Sequence, residues 1–306
     1  MIPSRFRVVA LVAVASLAVG ACSSSSSTPG PSFKIVATAP ADQLVKAGIL
    51  TVCSDTSYPP QETLDASNKA IGSDIDLATE IAGRMGLTVS IKSTVFDSII
   101  PALTGGTCDV AISAQNITQT RLQQVDMIPY FQAGQAFVVL KGNPQKINSL
   151  DDLCGKTVAA EKGTTEADHI AGTGDYDATT GLRPQCQAKG KAAITLKQYD
   201  KDTDALLALQ ANTVQAHFTD EPVANYEVTQ GQDKYEVLPA LTVDRAPEGI
   251  SVTKNHTGLR DAVQTALKSM LDDGKYTEIL TKWNVQSGAV TSVAIPTAEP
   301  ASPSAS

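Results

Sequence analysis

The sequence predicts an α/β protein of two lobes, each a mainly parallel sheet flanked by helices. Three observations carry this expectation. β-rich runs alternate with segments of helical periodicity along most of the chain, the pattern of a sheet sandwiched by helices. The alternation comes in two series, one before and one after an extended run at Phe131 to Leu140 (FQAGQAFVVL). Of 306 residues, about 255 remain for folding once a leader, a serine-rich stretch and a Pro/Ala/Ser tail are set aside, which suits two lobes of ordinary domain size.

The leader comes first. Arg5 and Arg7 form a positive start, Val8 to Ala18 an apolar stretch too short to span a bilayer, and Val19-Gly20-Ala21 the small residues that precede a cleavage site. Because Cys22 follows at once and SSSSSTPGPS after it, residues 1–21 read as a lipoprotein signal peptide and 22–32 as a tether. Cys22 would then carry a diacylglycerol, anchoring the exported chain by lipid at the outer face of a bacterial cytoplasmic membrane. The alternative is an ordinary secretory signal with Cys22 incidental.

The first folded series opens with a strand at ILTVCSD (Ile49 to Asp55) and a turn at Tyr58-Pro59-Pro60. A helix follows in GSDIDLATEIAGRMG, where Ile75, Ala78, Ala82 and Met85 recur at helical spacing and Gly86 supplies the stop. Then come a strand at LTVSIKST, a helix opened by Asp97 and a strand at CDVAIS. Two such βαβ passes make a parallel sheet. The second series runs through a short helix SLDDLC, a strand KTVAAE, a helix after Gly163-Thr164-Thr165, a strand AITLKQY, a helix DTDALLALQANT and a strand VQAHFTD leading into the helix EPVANYEVTQ. A strand EGISVTK precedes two amphipathic helices. Leu259, Val263, Ala266, Leu267, Met270 and Leu271 share one apolar face, and Tyr276, Ile279, Leu280 and Trp283 the next, Trp283 as a packing residue. Residues 289–306 lack periodicity and read as a disordered tail.

Charge and cysteine usage narrow the function. The net charge is −8, and loss of a leader carrying Arg5 and Arg7 and no acid makes it −10, which argues against nucleic acid as partner. Besides Cys22 there are four cysteines, Cys53, Cys108, Cys154 and Cys186; outside the cytosol they invite disulfides, with three pairings possible. Cys53 with Cys108 and Cys154 with Cys186 are preferred because each pair closes a loop inside one lobe, free buried thiols being the alternative. Metal-ligand spacing such as CxxC is absent and His169, His217 and His256 are scattered, so neither metal nor cofactor is expected.

The order of motifs over about Ala47 to Asn284 resembles the family-three extracellular solute-binding proteins of ABC transporters. The strongest stretch is GSDIDLATEIAGRM (Gly72 to Met85), which departs from the family pattern at Ser73. SDTSYPPQE, IIPAL, ISAQNITQTR, YFQAGQ, SLDDLCGKTVA, KGTT, FTDEPVANY and DDGKYTEILTKW follow in family order. The resemblance implies two flytrap lobes, the periplasmic-binding-protein fold, with lobe 1 at 33–130 plus 249–288 and lobe 2 at 136–243. The hinges would lie near 131–135 and 244–248.

The resemblance also implies a ligand set. Arg121 offers a planar, permanently charged fork for an α-carboxylate. Asn116 stands where threonine is frequent and Ala114 where glycine or serine is common; both would reach the same carboxylate, Ala114 through its backbone. Thr164 and Thr165 open a helix whose first amides lack internal partners, so they would grip that group from lobe 2, although Thr164 also suits an N-cap. Asp220 matches the family's ammonium-binding aspartate, with N-cap duty ahead of Glu221-Pro222 as its structural alternative. Tyr58 and Phe96 resemble the two aromatic walls around an aliphatic stem. Asp55 and Glu161 approach the head group, where two acids favour a basic or amide side chain over Asp or Glu. Lys162 is a possible partner for one of these acids, and Gln115 and Thr219 are further candidates for the head group.

The expected function is a monomeric, lipid-anchored, non-enzymatic receptor that closes on a free polar amino acid and delivers it to an ABC permease. Two other classes compete. One is an amino-acid sensor reporting to a partner protein, and the other a cyclohexadienyl dehydratase-like enzyme on the same fold, for which the sequence shows no catalytic dyad.

Overall fold

A computed structural model of the protein describes residues 33–299. The signal peptide, the tether with Cys22 and the last seven residues of the tail lie outside the described residues.

The elements run β1 (Ile49–Ser54), β2 (Ser57–Tyr58), β3 (Glu62–Leu64), β4 (Ala70–Ile71), α1 (Ser73–Arg84), β5 (Thr88–Ser93), α2 (Ile99–Thr104), β6 (Val110–Ala111), α3 (Gln119–Leu122) and β7 (Val125–Leu140). They continue through β8 (Thr157–Glu161), α4 (Thr165–Ala171), α5 (Leu182–Ala188), β9 (Thr195–Tyr199), α6 (Asp202–Gln210), β10 (Ala216–Asp220), α7 (Glu221–Gln230), β11 (Tyr235–Val237), β12 (Val243–Thr253), α8 (Thr257–Asp273) and α9 (Lys275–Lys282). The hairpin strands β3 and β4, helix α5 and strand β11 lack a periodic signal because each is too short to show one.

Nine strands form a mixed sheet in the order β5-β1-β6-β12-β7-β10-β8-β9, with β11 also on β7. Its two ends are parallel, β5 and β6 pairing β1, and β9 and β10 pairing β8, as the βαβ passes require. Its centre is antiparallel. The long strands β7 and β12 pair with one another from Val125↔Thr253 to Gln135↔Val243, so they run through both lobes. Their ladder is irregular between Val243/Ala246 and Glu248/Gly249, which lie in the second segment expected to bend.

Each lobe has its own core. In the first, Leu50 and Val52 of β1 pack with Leu77 and Ile81 of α1 and with Val263 and Leu267 of α8, while Ile99 and Leu103 of α2 cover the opposite face. In the second, the rings of Phe137 and Phe218 stack 3.9 Å apart over Ile170 and Leu182, and Ala205, Leu209 and Ala224 lie on the other side. The disulfides are Cys53–Cys108 and Cys154–Cys186, one per lobe, as preferred from the sequence.

The tail departs from expectation. Residues 289–299 have no regular structure, yet Val293 is buried and Val290 and Ile295 pack on the first core. Gln264 Nε2 donates to Val293 O, Val290 N to the Tyr276 hydroxyl, and Gln123 Nε2 to Glu299 O. A few well-spaced branched side chains plus backbone bonds to the folded body hold a strap that composition alone marks as disordered.

One glycine shows why the leading motif opens as it does. Gly72 has φ 137°, and a Cβ there would lie 2.0 Å from Gln61 O, so only glycine lets the β2–β4 region press against the start of α1.

Candidate functional site

The strand ends and helix starts of both lobes meet in a buried polar layer. Asp55 closes β1, and its carboxylate is held locally. Oδ1 accepts from Ser57 N at 2.8 Å and Ser57 Oγ at 2.5 Å, and Oδ2 accepts from Phe96 N at 3.0 Å. Burial nevertheless raises its pKa against those bonds.

Contacts between the lobes define the site. The Tyr58 hydroxyl donates to Asp220 Oδ2 at 2.9 Å and accepts from Asp220 N at 3.0 Å and Thr219 Oγ1 at 3.1 Å. Thr165 Oγ1 donates to Asn116 Oδ1 at 2.7 Å and accepts from Gln135 Nε2 at 2.9 Å. Arg121 donates from Nη1 to Asn116 O at 2.8 Å and from Nη2 to Gly163 O at 3.0 Å, with its guanidinium carbon 5.3 Å from the Phe96 ring centre. Gly163 has φ +80°, and a Cβ there would strike Asp97, so the glycine lets the two lobes touch beside Arg121.

Several sequence-derived roles change in detail. Tyr58 turns its hydroxyl to Asp220 and Thr219, and Phe96 lies against Arg121. Arg121 is buried, and two of its N–H groups donate to main-chain carbonyls. The Ala114 amide is spent inside lobe 1 on Asp74 Oδ2 and the Tyr130 hydroxyl, each 3.1 Å away, because a φ of +45° turns it inward. It is therefore not free for a ligand. Thr164 is an N-cap, accepting from Ala167 N and donating to Glu161 O. Asp220 stands at the start of α7 without capping it with its side chain, and Oδ1 is buried without a hydrogen-bond partner. Lys162 pairs with Asp97 at 2.6 Å, leaving Asp55 and Glu161 without it. Gln115 turns away to accept from Ser251 Oγ.

The electrostatic character is strongly acidic. Glu161 is 2% exposed with Oε1 unpartnered, and burial followed by the nearby Asp55 charge pushes its pKa well up. Sequence reasoning missed Glu166, equally buried with Oε1 unpartnered, because an acid in the first turn of a helix reads as a dipole partner. Its carboxyl lies against Asp220. Burial, then the Glu166 charge, drives the Asp220 pKa well above the carboxylate range. Glu248 on β12 adds another buried acid, accepting from Gln61 Nε2 at 2.7 Å. It was missed because its strand pattern carries no sign that the side chain turns inward. Arg121 is the cation set within this shell; burial lowers its pKa and Glu166 opposes that. Several acids around one guanidinium leave a demand for further positive charge.

The sequence model of the bacterial extracellular solute-binding proteins, family 3, matches residues 50–286. The arginine-binding protein ArgT of Corynebacterium glutamicum is 29% identical over 263 residues, covering 85% of this chain and 82% of that protein. Among solved structures, an ancestral arginine-binding protein bound to arginine is similar at 36% identity and a TM-score of 0.67, over 77% of this chain and 98% of that one. An ancestral amino acid-binding protein described as a precursor of cyclohexadienyl dehydratase matches at 30% identity and the same TM-score of 0.67, over 77% and 95%.

Proposed function

The chain belongs to the family 3 bacterial extracellular solute-binding proteins, and from that premise we propose a lipid-anchored receptor for a polar amino acid with a basic side chain, an amide being second choice. The observation that carries this reading is the excess of buried carboxyls, Asp55, Glu161, Glu166 and Asp220, of which Glu166 and Asp220 act on Arg121. A ligand with a cationic head and an α-ammonium neutralises that excess, and its single carboxylate has Arg121 as partner. Aspartate or glutamate would add charge of the wrong sign.

Lobe 1, residues 33–130 with 249–288, would receive the ligand, and lobe 2, residues 136–243, would close by bending at 131–135 and 244–248. Tyr58 with Asp220, and Asn116 with Thr165, are then contacts of the closed state. That state is what an ABC permease would recognise, with Cys22 and the serine-rich segment holding the receptor nearby.

A thermal-shift panel tests this. Ligand-stripped protein is exposed to arginine, lysine, ornithine, histidine, glutamine, asparagine, citrulline, aspartate, glutamate and prephenate. A binder at 100 times its Kd stabilises by ~2.7 kcal/mol. Basic amino acids should give the largest rise, and Arg121→Ala should remove it. A response led by aspartate or glutamate, or none to any amino acid, refutes the reading. Turnover of prephenate would favour the enzyme that one structural neighbour precedes.

A further inference from the structure

Behind the ligand layer, inside lobe 2, lies a second polar cluster that the receptor function does not use. Asp202 at the start of α6, His217 on β10 and Glu227 on α7 are 1%, 0% and 5% exposed. One ligand-capable atom from each lies within 4.8 Å of those from the other two. His217 Nε2 is 2.9 Å from Asp202 Oδ1, and Nδ1 is 3.4 Å from Glu227 Oε2. Three buried atoms of the cluster have no hydrogen-bond partner: Asp202 Oδ2, His217 Nδ1 and Glu227 Oε2.

We propose that Asp202, His217 and Glu227 form a structural site for a divalent transition-metal cation, Zn2+ by donor chemistry. One imidazole and two carboxylates are a donor set that Zn2+ accepts, with water completing four-coordination. The tautomer suits it. A neutral imidazole with its proton on Nε2 leaves Nδ1 as the ligand nitrogen, and the unpartnered Asp202 Oδ2 and Glu227 Oε2 are the two carboxylate donors. Charge balance points the same way. Two ionised carboxylates with a neutral imidazole carry −2, which a divalent cation cancels.

Access is present on one side. A cavity of about 290 Å³ is lined by Asp202 and Glu227 together with Pro59, Leu206, Gln210 and Tyr226. A cation entering there would join α6, β10 and α7, the last two meeting at Asp220. Local sequence spacing does not reveal the set, because its members are fifteen and ten residues apart on three different elements.

The test uses the full chain carrying Cys22→Ser, which removes the cysteine outside the two disulfides, stripped with chelator and titrated with ZnCl2 alone. One equivalent should bind with a raised melting midpoint, and Co2+ in its place should give visible d–d bands. Glu227→Gln and, separately, Asp202→Asn should each weaken Zn2+ binding by at least about tenfold. Absence of Zn2+ binding in the parent chain overturns the site, and this needs no variant to fold. Binding of equal strength in both variants also overturns it, since the metal then sits elsewhere. Amino-acid binding is read separately, so the fate of the receptor assignment does not decide this one.

Discussion

Replacing Asp220 with asparagine should move ligand affinity and ligand-free stability in opposite directions. The substitution removes one negative charge but leaves an oxygen to accept the Tyr58 hydroxyl and leaves the main-chain N–H bond to Tyr58 intact. Truncating one partner of a buried, hydrogen-bonded charge pair costs about 2–5 kcal/mol. At 1.4 kcal/mol per tenfold, the affinity for arginine should fall by about 30-fold to about 4,000-fold. With the lobes closed and no ligand between them, Asp220 is held against Glu166 in a desolvated site, and its raised pKa means that ionising it opposes that closed fold at neutral pH. Asparagine escapes that penalty, so the ligand-free variant should be more stable by about 1 kcal/mol, or a rise of about 2–4 °C in Tm for a domain of this size. Calorimetric titration with arginine and a thermal melt of stripped protein measure the two quantities. An affinity within about threefold of the parent, or a ligand-free variant that melts lower, would show that Asp220 serves the fold and not the ligand.

Three further outcomes follow from the same geometry. Glu161 and Asp220 are pushed well up by burial, so a cationic ligand must displace protons; its affinity should fall as pH drops from 7 to 5, and titrations in two buffers of different ionisation heat should show proton release. Ligand-free stability should drift the other way, declining as pH rises from about 4 through these raised pKa values, and a flat profile in either measurement would refute the buried acidic shell. Asp175 of lobe 2 accepts from the Gln119 and Thr120 amides and the Thr120 hydroxyl at 2.6–3.1 Å, so Asp175→Ala should weaken every ligand by one common factor, about fivefold, mainly through faster dissociation; a factor that differs between arginine and glutamine would place Asp175 in recognition itself. Converting Cys154 and Cys186 to serine opens a loop with a separation of 32 residues and should cost about 3–4 kcal/mol of stability with arginine affinity kept, as measured by denaturant unfolding and calorimetry.

Much of the architecture is readable in the sequence because it is local. The spacing of Ile75, Ala78, Ala82 and Met85 sets the buried face of α1, Gly86 with φ +70° ends that region, and the alternation of strands and helices requires parallel pairing at both ends of the sheet. Both disulfide pairs follow from requiring each loop to close within one lobe. The candidate site is legible only as a set of residue types. Arg121, Asp220, Thr165 and Glu161 are all carried into one buried layer, but their directions are decided by long-range contacts.

Tertiary structure alone settles that the Ala114 amide turns inward to Asp74, that Lys162 goes to Asp97, and that Tyr58 reaches Asp220 across 162 positions. It also brings Glu166 against Asp220 and gathers Asp202, His217 and Glu227 from three elements. The strap at 289–299 belongs to the same class: its sequence is too poor in apolar residues to order itself, and Val293 is held only because α8 supplies the surface. Periodicity records which face of an element meets a core, since that repeats every few residues. A single side chain's partner depends on where distant backbone lies, and no local repeat encodes that distance.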